Sequence, residues 1–132
     1  MSDLLLSSLE RVAEKAGDIT PEVYERFFQL SPSAYSLMGH SDPHMRGRML
    51  EQVFELFFTD DHLGEGNYLD WELDNHLVGY QVEGEMYEHF FAALVDTIKA
   101  ALGDEWQPDI ADAWNTRIED IMAQVRVHPA VA

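Results

Sequence analysis

Cysteine is missing from this chain altogether. Disulfides, thiolate zinc sites and cysteine nucleophiles are excluded with it. The absence says nothing of compartment, because cytosolic chains often lack the residue too. Positive charge is nearly as scarce: 8 Lys and Arg stand against 25 Asp and Glu, a formal net charge of −17 with histidine neutral. A general nucleic-acid binder needs a basic footprint to neutralise phosphates, and this composition supplies none. Anionic membrane surfaces are disfavoured on the same ground. No apolar run approaches the roughly 18 residues of a membrane span. Met1-Ser2-Asp3 has no basic segment of the kind that opens a secretory leader, so the cytoplasm is the default expectation. Internal repeats and low-complexity tracts are also absent.

What is present is an ordinary globular mixture, 46% hydrophobic and 25% charged over 132 residues, which fits one domain spanning 1–132. Proline punctuates it. Thr20-Pro21, Ser31-Pro32, Asp42-Pro43 and Gln107-Pro108 read as helix starts, and Pro129 falls where a last helix should stop. Proline at the first helical position gives up only an N–H without an intrahelical partner, and Ser, Thr or Asp before it can cap; Gln107 is a weaker cap.

Apolar spacing fills the intervals with helices. Leu5, Leu6, Leu9, Val12, Ala13 and Ala16 make one face of a first helix, ended by Gly17. Val23, Tyr24, Phe27, Phe28 and Leu30 follow Pro21, and a short helix runs from Pro32 to Met38 with Gly39 stopping it. Met45, Met49, Val53, Leu56 and Phe57 line a longer helix after Pro43. A loop over 59–67 and a short helix over 70–78 come next. Met86, Phe90, Phe91, Leu94, Val95, Ile98 and Leu102 stripe a long helix ending at Gly103, and Ile110, Ala113, Trp114, Ile118, Ile121, Met122 and Val125 stripe the last. Few segments alternate with period two, so the fold class is all-α. Short helices between prolines and two long terminal ones do not suit a plain up-down bundle.

The segment Val23-Tyr24-Glu25-Arg26-Phe27-Phe28 with Pro32, the run Leu102-Gly103-Asp104-Glu105-Trp106-Gln107-Pro108 followed by Ala113-Trp114, and His76 with Val82 and Tyr87 behind it together resemble bacterial single-domain globins and the globin domain of flavohaemoglobins. The likeness covers roughly residues 4–127, and the joint before the last helix is its most specific piece. It implies a globin-like fold of six to eight helices around a haem-type pocket, with haem b (iron protoporphyrin IX) as cofactor.

On that resemblance His76 is the metal ligand, offering neutral imidazole to iron. Taken alone, its spacing favours an exposed polar histidine in an acidic loop over a metal ligand. Tyr24 matches the tyrosine that donates its hydroxyl to a bound ligand; the plainer alternative is a core tyrosine bonded to a backbone carbonyl. Steps of four from Met45 give Met49, Val53 and Phe57, all apolar, while steps of four from His44 give Arg48 and Gln52. The resemblance aligns Met45 and Met49 with the two pocket-facing positions of the distal helix, Met45 in place of the family's distal Gln or His, and the register turns His44 away. Simple core packing is the commoner role of such methionines. Met38 stands where the family carries a haem-wedging phenylalanine, with Tyr35 one turn earlier. Arg48 can reach a propionate or pair with Glu51 or Glu55, and Arg46 is the other nearby cation. Tyr87 resembles the proximal-side tyrosine of flavohaemoglobins, and Phe91 joins it on the pocket side of the long helix. The glutamate that works with that tyrosine in the family is missing near Val131, and Glu72 stands where an apolar residue is usual, four before His76.

Three functions remain open. The first is reversible binding of a diatomic gas (oxygen, nitric oxide or carbon monoxide), with a reductase or signalling protein as a further partner. The second is a haem-free globin-fold sensor or interaction module. The third is a nitric-oxide dioxygenase or peroxidase-like globin served by a separate reductase; no reductase segment follows the last stripe, so self-sufficient turnover is not expected. The acids Asp60, Asp61, Glu65, Asp70, Glu72 and Asp74 miss the calcium-loop spacing and read as a solvated face. No Ser-His-Asp order, phosphate loop or His-Glu-x-x-His motif is present. Oligomeric state stays open.

Overall fold

The computed structural model describes residues 2–58 and 84–127. Over them the chain forms six α-helices and no strand: α1 Ser2–Ala16, α2 Thr20–Leu30, α3 Pro32–Met38, α4 Pro43–Phe58, α5 Gly84–Leu102 and α6 Pro108–Val127, with one 3-10 turn, Gly103–Glu105, between the last two. The expected loop over 59–67, the expected helix over 70–78 and Pro129 lie outside the described residues. No helix among those described is long and apolar enough to cross a membrane.

Local chemistry sets the helix ends. Gly17 and Gly103 follow α1 and α5 with φ of 69° and 56°, the left-handed region that glycine enters at little cost. Ser31 caps α3, its side chain accepting from the Ala34 N–H, and Asp42 Oδ1 accepts from Met45 N–H (2.8 Å) at the start of α4. Two expected caps are replaced. Thr20 is the first residue of α2 rather than its cap; Asp18 Oδ1 accepts from both the Thr20 N–H (3.0 Å) and the Thr20 hydroxyl (2.6 Å). A carboxylate favours a helix N-terminus more than a hydroxyl does, and Asp18 is near enough to win. Gln107 turns back to donate to the Asp104 carbonyl (2.7 Å) and does not cap α6. Gly39 does stop α3, but in a right-handed conformation; a Cβ there would come within 2.6 Å of the Tyr35 carbonyl oxygen, so close approach is what excludes larger residues.

α5 is the centre of the packing. α2 lies against it most extensively, α1 and α6 also pack on it, α1 touches α6, and α2 carries α3 and α4 on its other side. The stripe residues Leu94, Ile98, Ile121, Val125 and Trp114 are wholly buried. Several buried polar groups in this layer are paired. Trp114 Nε1 donates to Ser8 Oγ (3.0 Å), which donates to the Leu5 carbonyl (2.8 Å). Arg26 donates to Thr97 Oγ1 (3.0 Å), which donates to the Ala93 carbonyl (2.8 Å). Lys15 Nζ bonds the Leu102 carbonyl (2.9 Å) at the C-terminus of α5, and Arg11 and Lys15 both grip Glu105 (2.7 and 2.8 Å). Arg117 Nε bonds the Phe57 carbonyl (2.9 Å), closing the C-terminus of α4.

Candidate functional site

α2, α3, α4 and α5 contribute to one aromatic wall, which includes the sequence-predicted Tyr24, Tyr87 and Phe91. The Tyr24 ring packs at 5.6–6.2 Å from Phe27, Phe28 and Phe90, and Phe28 meets Tyr35 edge-on at 5.5 Å. Phe90 meets Phe91 at 6.3 Å; Phe91 stands edge-on to Phe57 at 5.7 Å, and Phe57 lies 5.1 Å from Trp114. Offset and edge-on rings at these separations are the favoured aromatic geometries. Tyr87 is half-buried, its ring 6.3 Å from Phe91, which is buried.

Along α4 the predicted stripe is graded. Met45 is 49% exposed, Met49 and Val53 are half-buried, and Phe57 is 1% exposed. His44, Arg48 and Gln52 are exposed, on the side expected of them. Arg48 forms no ion pair among the described residues, so neither Glu51 nor Glu55 holds it. Met38 is half-buried against the core, while Tyr35, one turn earlier, is 60% exposed and offers its ring to Phe28.

Tyr24 is the most telling member. It is 2% exposed, its ring held among Phe27, Phe28 and Phe90. Burial pushes its pKa above the ordinary value of 10.0, only partly offset by the charge of Arg46, so the phenol stays neutral and keeps its proton to donate.

Arg46 was visible in the sequence only as a spare cation. Its guanidinium lies 5.0 Å from the Phe28 ring centroid and 5.7 Å from that of Tyr24, within cation–π range, and it donates to the Gly39 carbonyl (2.7 Å) and Ser41 Oγ (2.9 Å). Nothing in the local pattern marks this reach across the α3–α4 connection; a long side chain finds its partners in tertiary space.

His76, the candidate iron ligand, lies outside the described residues, as do Glu72 and the other acids of 60–74. Among the described residues no three His, Asp or Glu side chains come together to hold a metal. His40 and His44 are exposed, and His89 is half-buried with its Nδ1 enclosed. Met38, Met49 and Val53 are apolar side chains half-buried against the core, and Phe91 is buried in it. No family model, curated protein or solved structure matches the chain.

A concavity lies on another face of α4. It has a volume of about 300 Å³ and is lined by residues of α1, the α1–α2 turn and α4, including Val12, Ile19, Leu50 and Phe54. Sequence reasoning missed it; the one available sign was a glycine, Gly47, inside an otherwise good helix.

Proposed function

We propose that this chain is a globin-fold protein that binds haem b and takes up a diatomic gas reversibly. His76 would ligate the iron, and Tyr24, Met38, Met49, Val53 and Phe91 would form the distal and lateral wall. Haem b, when bound, supplies an iron that adds oxygen, carbon monoxide or nitric oxide reversibly. The remaining work belongs to the chain. Tyr24 holds a neutral O–H in a water-poor aromatic wall, where a hydrogen bond to a partly negative ligand is stronger than in water. Phe27, Phe28 and Phe90 fix the ring that carries it. Met49 and Val53 exclude water without competing for the proton, since neither has a donor. The observation supporting this reading is the Tyr24 phenol buried among Phe27, Phe28 and Phe90, where loss of its proton is disfavoured.

Purified protein supplied with hemin should show an intense Soret band that shifts with carbon monoxide. His76→Ala should abolish it. Tyr24→Phe should retain it but release oxygen about tenfold faster, the equivalent of one lost hydrogen bond of about 1.4 kcal/mol. Colourless protein that cannot be loaded with hemin would overturn the proposal.

One observation favours the second reading, a haem-free sensor or interaction module. Arg46 already covers the Tyr24 and Phe28 rings and is tied to Gly39 and Ser41, so part of the wall is capped from within. Arg46→Ala separates the two. If the guanidinium is a lid over a packed-shut wall, its removal loosens the fold and hemin still does not load; if it borders an open pocket, loading persists.

A further inference from the structure

The cleft against α1 uses a different face of α4 from the candidate haem wall. Gly47, Leu50, Glu51 and Phe54 turn toward it, whereas Met45, Met49 and Val53 do not. Its volume of about 300 Å³ holds roughly ten waters and sits at the lower end of small-molecule sites. The walls are apolar: Leu9, Val12, Ile19, Leu50 and Phe54. Two glycines keep it open. A Cβ at Gly47 or at Gly17 would meet nothing within 4 Å, so neither is glycine for want of room. Gly17 has its positive φ as a reason; Gly47 sits inside α4, where alanine is the more stable residue, and has none except the space it leaves.

The polar part of the lining has one sign. Asp18 and Glu51 are exposed, and no Lys or Arg is among the described lining residues. Asp18 Oδ1 takes both bonds from Thr20, leaving Oδ2 without a protein partner among the described residues. Those two bonds also lower the Asp18 pKa, the hydroxyl contributing most, and so favour its charged form. Glu51 makes no ion pair with the described residues. An anionic amphipath would meet two carboxylates and no cation; a neutral one would leave them unused.

We propose that this cleft binds a small amphipathic amine, its apolar body against Leu9, Val12 and Phe54 and its protonated nitrogen at the acidic rim of Asp18 and Glu51. The site is independent of haem loading.

The full chain is titrated with 2-phenylethylamine hydrochloride and, separately, with 3-phenylpropionate, which has a similar ring and reach and the opposite charge. Amide NMR shifts report the contact. The amine should bind saturably and shift residues 9–20 and 47–54, and the propionate should not. Gly47→Leu fills the cleft and should weaken amine binding about tenfold or more. Glu51→Gln and Asp18→Asn should each weaken it by up to about fivefold, the range of an exposed charge pair, and added salt should do the same. Equal binding of both probes, shifts confined to other residues, no saturable amine binding, or unchanged affinity in Gly47→Leu would each overturn the proposal. Should Gly47→Leu fail to fold, the two charge-removing variants decide it, and unchanged affinity in both overturns it.

Discussion

Where α1, α5 and α6 meet, large side chains are fully enclosed, and Trp114 donates to Ser8, Ser8 to the Leu5 carbonyl and Lys15 to the end of α5. Around α3 and the first half of α4 the composition is as apolar, but the enclosure is not. Tyr35, Leu37 and Met45 are exposed, and Met38, Met49 and Phe28 are only half-buried. The difference separates a scaffold from a surface that is free to act. Stability concentrates where burial is complete, and binding residues belong where packing leaves room.

That contrast can be broken most directly by truncation. Trp114→Ala should cost about 3–5 kcal/mol of unfolding free energy, whereas Met49→Ala should cost less than about 2, because a half-buried side chain has less to lose. Equal losses in urea titrations would erase the distinction. Ser8→Ala is a finer probe: it orphans the Trp114 N–H and should cost about 1–3 kcal/mol, a large penalty for removing one oxygen. On the open side the sign reverses. Gly47→Ala should raise stability by up to about 1 kcal/mol, since the added methyl meets no neighbour and the helix prefers it.

The smallest effect is in acid. Hydrogen bonds from Arg11 and then Lys15 hold the Glu105 carboxyl at about 2, below its ordinary 4.5. A depressed carboxylate stabilises the fold above its unfolded value, and that contribution fades as pH falls from about 4.5 toward 2. Both partners are solvent-screened, so the change is small. Glu105→Gln should flatten that part of the melting-temperature profile and leave neutral behaviour nearly intact.

Much of this was readable in advance. Prolines and glycines marked the helix ends, and steps of four along α4 separated Phe57 from His44, because a helix converts spacing into direction without outside help. The misplaced caps at Thr20 and Gln107 show where that stops. Several groups compete for the same orphan N–H, and the winner depends on the angle of the turn. Arg46 over Tyr24 and the cleft beside Gly47 were not legible, since each requires knowing which helices become neighbours. The wall around Tyr24 was legible in part: its tyrosine and phenylalanines were in the pattern, the guanidinium across them was not.

The cations carry a last consequence. Arg11, Lys15, Arg26, Arg46, Arg117 and Arg126, six of the eight, are bonded within the chain. They act as internal stitches and contribute little outward attraction. The net charge that a visiting macromolecule meets is strongly negative, −17 over the sequence. Docking of any redox or signalling protein would demand a lysine-rich face on that visitor, and encounter rates would collapse as ionic strength climbs.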